Sequence, residues 1–217
     1  MAKKHSNTVS ADTNSGSFNS PVDAGSGHQI TGELLTFSDK EYHTGSGLGR
    51  EAMPLGTELI AVAVRPGWKH WQDGKVVKFV ELTDDGFYPK RSDLGDTDQT
   101  KWECGPGDEP ADPWQDSREV DLVNADDYAK YTFCIASMGG RVAVDALKEA
   151  MDYARRFRPG QYPVISLQWK KWPTKHGMKS RPSLKIVGWF PPADATGAVP
   201  RIAPPSDLND LIPDLSK

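Results

Sequence analysis

Asp73-Gly74, set between two runs of alternating apolar residues, constrains the fold of this chain more than any other feature. An Asp-Gly pair takes up the positive backbone angles of a two-residue hairpin turn at little cost, so the strand before it returns beside itself. The incoming strand covers residues 57–64, alternating and β-branched, and continues towards Trp68-Lys69-His70-Trp71. Lys75-Val76-Val77-Lys78-Phe79-Val80 is the return strand. Residues 129–136 form a third strand, broken by Ser137-Met138-Gly139-Gly140. Val144, Leu147, Met151 and Ala154 recur at the spacing of one helix face, which predicts a helix over 141–157 that stops before Pro159-Gly160. Residues 162–169 and 183–189 are a fourth and a fifth strand. A shorter one near Leu34-Leu35-Thr36-Phe37 extends the sheet or covers its edge.

The expected fold class is therefore mainly β with one helix, in the order β-β-β-α-β-β. That is the order of the OB-fold, a five-stranded, partly open barrel. Ferredoxin-like and other α+β sandwiches have comparable strings of elements. Composition sets the limits of this body. With 37% hydrophobic residues in 217, the chain is poor in apolar side chains for one ordered throughout, which points to polar ends around a smaller core. Residues 1–30, rich in Ser, Asn, Gly, Asp and Thr, read as a disordered N-terminal arm. Residues 31–190 are the OB-like domain, interrupted by an acidic insertion at 84–127. There, fourteen acidic side chains face only Lys90, Arg91, Lys101 and Arg118. Residues 191–217 read as a proline-rich linker with an acidic-apolar tip.

The net charge of -4 hides two clusters of opposite character, Gly67-Trp68-Lys69-His70-Trp71 and Gln168-Trp169-Lys170-Lys171-Trp172. Cations interleaved with large flat rings suit a single-stranded nucleic acid, whose phosphates take the charge while its unstacked bases take the π-faces. The expected stacking residues are Trp68, Trp71, Trp169 and Trp172. Trp169 shares the parity of Ile165 and Leu167 and is the most core-like of the four. The expected phosphate contacts are Lys69, Lys75, Lys78, Lys170, Lys171, Lys175, Lys179, Arg181 and Lys185. Between residues 161 and 190 all six charged side chains are positive. The segment 173–181 joins the last two strands, where an OB-fold clasps its ligand. The plainer reading of each cluster is a core tryptophan beside solvated lysines. Gly139-Gly140-Arg141 at a helix start offers backbone N–H groups to a phosphate, or is simply a strand-to-helix turn.

Other classes find less in the sequence. Asp93, Asp96, Asp98, Glu103, Asp108, Glu109, Asp112 and Asp116 are carboxylates of the sort a metal-dependent nuclease uses to hold Mg²⁺. No Asp/Glu-x-Lys triplet follows a carboxylate-bearing strand, and no Gly-x-x-x-x-Gly-Lys loop is present. Gly45-Ser46-Gly47 lacks the strand-turn-helix setting of a nucleophilic serine. The expectation is a protein that is not an enzyme, with no cofactor and no metal. An inhibitor that mimics DNA through its acidic segment is the alternative, since that segment attracts basic proteins. Cys104 and Cys134 stand 30 residues apart, which implies neither a zinc ribbon nor a disulfide framework. Without an apolar span or a leader-like start, the expected location is cytoplasmic, with no membrane contact.

Asp112-Pro113-Trp114-Gln115, Gly139-Gly140-Arg141, Tyr162-Pro163-Val164-Ile165 and Lys185-Ile186-Val187-Gly188-Trp189, in that order, resemble a poorly characterised group of phage and prophage proteins. The resemblance covers roughly residues 55–190. It implies a single-stranded DNA-binding protein of phage DNA replication and recombination, acting in the host cytoplasm if phage-encoded. The tail is similar to the ends of bacterial and phage single-stranded DNA-binding proteins, where an acidic-apolar tip recruits replication or recombination enzymes. Asp207, Asp210, Leu211, Ile212, Pro213 and Asp214 match that character. The chain departs from the pattern by ending Leu215-Ser216-Lys217, with no terminal aromatic.

Overall fold

A computed structural model describes residues 30–81, 88–105, 108–175 and 177–191. The expected arm at 1–29, the tail from 192 and His176 lie outside the described residues. Nine strands form one sheet: β1 (Glu33–Ser38), β2 (Glu41–Thr44), β3 (Glu51–Met53), β4 (Glu58–Gln72), β5 (Lys75–Glu81), β6 (Trp114–Val123), β7 (Lys130–Ile135), β8 (Tyr162–Thr174) and β9 (Gly177–Phe190). The one α-helix among the described residues, α1, is Met138–Arg155. Strand order is β3-β2-β1-β7-β6-β4-β8-β9, with β5 paired to β4. Every pairing is antiparallel except β1 with β7. No helix among the described residues is long and apolar enough to cross a membrane.

The sheet curls because β4 bends. Ala61 pairs with Leu122 and Ala63 with Asp121, leaving Val62 as an extra residue. Such a bulge kinks its strand and increases the local twist. Before it, Glu58–Ile60 pair with Ser166–Val164 of β8; beyond it, Gly67–Gln72 pair with β5. Tyr42 joins the two ends of the curl: its buried hydroxyl donates to the Gln168 carbonyl at 2.8 Å, and burial pushes its phenol pKa up. The result is an open half-barrel.

Its core holds Leu35, Leu59, Val120, Leu122, Phe133, Ile165, Leu167 and Trp189, closed by Val144, Leu147, Met151 and Ala154 of α1. Burying each large aliphatic side chain contributes roughly 1.5–3 kcal/mol. The helix face is the one that the sequence spacing predicts. Ser137 caps it, accepting from the Gly140 amide at 3.3 Å.

The two glycines after that cap are there for close approach. A Cβ on Gly140 would stand 2.0 Å from Ile135 Cγ1 of β7, and one on Gly139 would stand 3.1 Å from Arg181 Cβ of β9. Gly140→Ala is expected to cost about 1–2 kcal/mol net: overpacking of roughly 1–3 kcal/mol exceeds the helix-propensity gain of up to about 1 kcal/mol. Urea unfolding measures this, and a stabilised variant would show that α1 docks more loosely than described.

Three expectations are corrected. The five-strand count becomes nine, through β1, through β2 and β3, which are short, and through β6, which lies inside the segment read as an acidic insertion. β6 is a central strand between β4 and β7. The return strand after Asp73-Gly74 forms as predicted, but β5 pairs only with β4, and it is β6 that links β4 to β7.

Candidate nucleic-acid interface

The two tryptophan-lysine clusters meet different fates. In the first, β4 carries Trp68 into a stack with Tyr88, ring centroids 6.1 Å apart and 25° between planes. Its indole N–H donates to the Pro89 carbonyl at 2.9 Å. Lys69 is only 6% exposed, its Nζ 2.7 Å from Oε1 of Glu119, itself fully buried. As a phosphate contact Lys69 is therefore corrected: neutralising an outside anion would break a buried ion pair. Trp71 is exposed, donating to Gln115 Oε1 at 3.3 Å. Lys75 and Lys78 are exposed on β5, with Lys78 Nζ 5.8 Å from the centre of the Trp114 ring.

Residues 88–105 and 108–112 lie over this end of the sheet. Trp114 donates its indole N–H to Asp96 Oδ2 at 2.9 Å, Trp102 donates to the Asp96 carbonyl at 2.7 Å, and His70 Nε2 stands 3.3 Å from the Asp96 carboxylate. Arg91 grips Asp112 at 2.7 Å, and the Asp98 carboxylate caps a short turn through Thr100. Asp96, Asp98 and Asp112 thus find partners within the segment. Among the described residues, no group of three or more His, Cys, Asp or Glu is placed to hold a metal ion.

The second cluster stays largely on the surface. Past Gln168, β8 pairs only with β9, so residues 169–174 and 177–182 form a two-stranded ribbon running on from the sheet. Register partners share a face. Lys170 with Arg181 and Trp172 with Lys179 occupy one face; Lys171 with Ser180 and Trp169 with Pro182 take the other. Lys170, Lys171, Lys175 and Lys179 are exposed. Trp172 is half-buried beneath the Arg181 guanidinium, whose carbon lies 3.8 Å from the ring centre. That cation–π contact, with Gly139 packed against both side chains, buries Arg181 and fixes the indole. Arg181 is thereby corrected from an exposed phosphate contact to a support for Trp172. Trp169 is half-buried with Lys40 Nζ 5.2 Å over its ring, in keeping with its core parity. Lys185 is exposed on β9 within the body of the sheet.

The first turn of α1 lies between the clusters. Gly139 touches Arg181 and Trp172 on one side. On the other, Arg141 pairs with Asp116, the register partner of Trp68. Arg118 joins that network through Asp116 and Asp145, each at 2.5 Å. A shallow hollow of about 380 Å³, lined by Pro66, Tyr88, Arg118, Asp145, Lys148 and Glu149, opens beside it. Its cations Arg118 and Lys148 are both matched by carboxylates, so it carries no excess positive charge. No family model matches the chain. No curated protein and no solved structure matches it either.

Sequence reasoning missed Glu119, and it missed the network that joins Asp116, Arg118 and Arg141 at this end of the sheet. Nothing local marks them, because their partners come from other strands and from α1. Cys134 belongs to the same region, its thiol 3.5 Å from Glu119 Oε1. Burial pushes that thiol up to about 12, with Lys69 pulling the other way and Glu119 reinforcing the rise. A thiol-reactive dye at pH 8 is therefore expected to label exposed Cys104 quickly and half-buried Cys134 far more slowly. Two equally fast labels in the native protein would contradict this burial.

Proposed function

We propose that this chain binds single-stranded DNA, with little sequence preference, along the β8–β9 ribbon. The observation that carries the reading is the ribbon itself: four exposed lysines and no carboxylate, around an indole fixed by Arg181. In this reading Lys170, Lys171, Lys175 and Lys179 neutralise phosphates, Trp172 offers its ring edge and free area to a base, and Trp71, Lys75 and Lys78 extend the track. Trp68 and Lys69 act from behind, as structure.

An OB-type barrel supports the same proposal. With the β5 hairpin and the β1–β3 layer set aside, β4, β6, β7, α1, β8 and β9 give the β-β-β-α-β-β order, and a long bent β4 pairs with both β6 and β8. The ribbon then occupies the position of the ligand-clasping loop between the last two strands. A place in phage replication or recombination, and recruitment of a partner enzyme through Asp207, Asp210, Leu211, Ile212, Pro213 and Asp214, rest on the sequence resemblance alone. The DNA-mimic alternative draws less support, since Asp96, Asp98 and Asp112 are engaged within their own segment.

Titration with oligo-dT at two salt concentrations tests the reading. Tryptophan emission is expected to fall on binding, duplex of equal length to bind more weakly, and affinity to drop as salt rises. Unchanged emission and mobility at saturating oligonucleotide in low salt would sink it.

A further inference from the structure

At its C-terminal end α1 runs into Tyr153-Ala154-Arg155-Arg156-Phe157-Arg158, and two rings there face water. Tyr153 is 47% and Phe157 69% exposed, with ring centroids 5.4 Å apart. A solvent-facing aromatic pair of this sort marks a contact surface more often than isolated apolar residues do. Cations surround it. Arg155 and Arg156 are exposed, and the Arg158 guanidinium lies 5.3 Å over the Trp189 ring. Among the described residues the one carboxylate paired with them is Asp152, 3.0 Å from Arg155 at the surface, and an exposed pair of that kind contributes little and exchanges readily. The surface therefore asks for a ligand that is apolar and acidic at once.

The chain supplies such a segment. Phe190 is the register partner of Tyr162, so residues from 192 onward set out next to the strand that follows this helix end. Fifteen residues separate 192 from Asp207, and a fully extended chain of that length spans at most roughly 50 Å, enough to come back to Phe157. From Ser206 to Leu215 the sequence alternates Asp207, Asp210 and Asp214 with Leu208, Leu211, Ile212 and Leu215. We propose that residues 206–215 dock in cis on the α1 terminus, aliphatic side chains against Tyr153 and Phe157 and carboxylates against Arg155, Arg156 and Arg158. This surface is separate from the β8–β9 ribbon, and the proposal does not depend on nucleic-acid binding.

A nitroxide attached through Asn209→Cys, in full-length protein carrying Cys104→Ser and Cys134→Ala, tests it by amide NMR. Several-fold loss of amide intensity is expected at residues 153–158 and 162, recovered when the nitroxide is reduced. Tyr153→Ser with Phe157→Ser should restore the intensity, as should Arg155→Glu with Arg156→Glu, which alters only exposed charges and serves if the aromatic variant misfolds. High salt should restore it in part. Uniform intensities, or losses centred on residues 169–181, would overturn the proposal. So would losses that appear only when isotope-labelled and spin-labelled molecules are mixed, since these would place the segment on a second copy.

Discussion

Glu119→Ala is expected to lower the unfolding free energy by about 3–5 kcal/mol, because it strands a buried cation. Glu119 is fully buried in the middle of β6, with Lys69 Nζ at 2.7 Å on one oxygen and Arg65 Nη2 at 3.3 Å on the other. Arg65 keeps a second carboxylate, Asp121, at 2.7 Å. Lys69 has no other carboxylate within ion-pairing distance among the described residues, so its charge bears most of the loss. The companion variant decides the mechanism. Lys69→Met with Glu119→Leu removes both charges and should be markedly more stable than Glu119→Ala alone, since an apolar pair replaces a buried ion pair at little cost. Urea unfolding with an unchanged slope reads both values. A loss below about 1 kcal/mol for Glu119→Ala would mean that water reaches this site.

Changing Lys170, Lys171, Lys175 and Lys179 together to alanine should leave the fold intact and remove most of the binding to single strands. Each neutralised phosphate contributes about 0.7 to the slope of log affinity against log salt. Without these four cations the slope should flatten by about 2.8, and affinity near 0.1 M salt should fall by roughly two to three decades. The fold is expected to survive because all four side chains are exposed. Arg181 is deliberately left in place: its removal would unseat Trp172 and the α1 start together. An unchanged slope with an unchanged unfolding midpoint would reduce the ribbon to a solvated hairpin.

The residues that were legible in the sequence are those whose pattern is set locally. The Asp73-Gly74 turn, the apolar stripe of α1 and the alternation in β4, β7, β8 and β9 needed no knowledge of neighbours. β6 was not legible because a central strand usually shows its burial as apolar alternation, and here it does not. Asp116 and Arg118 point into one charged network, Glu119 and Asp121 into another on the opposite face, so Trp114–Val123 reads as polar loop. β2 and β3 are too short to show a period. The bulge at Val62 also breaks simple parity along β4. Leu59 and Ala61 face the core before it and Val64 after it, so counting in twos from residue 59 misplaces every later side chain. For the site, spacing could reveal that lysines and tryptophans cluster. It could not reveal which of them the fold would bury, which is what separates Lys69 from Lys171.

The parallel pairing of β1 with β7 decides what counts as the smallest folding unit. Leu35 and Tyr42 are fully buried wall residues of the half-barrel, and β1 occupies the hydrogen-bonding edge of β7 from Tyr131 to Phe133. A fragment begun at residue 55 would lose both. It would keep the ribbon and the helix yet carry an open strand edge, the template on which chains add to one another. A boundary placed some twenty residues earlier, ahead of β1, keeps for β7 the backbone partner that the shorter fragment lacks.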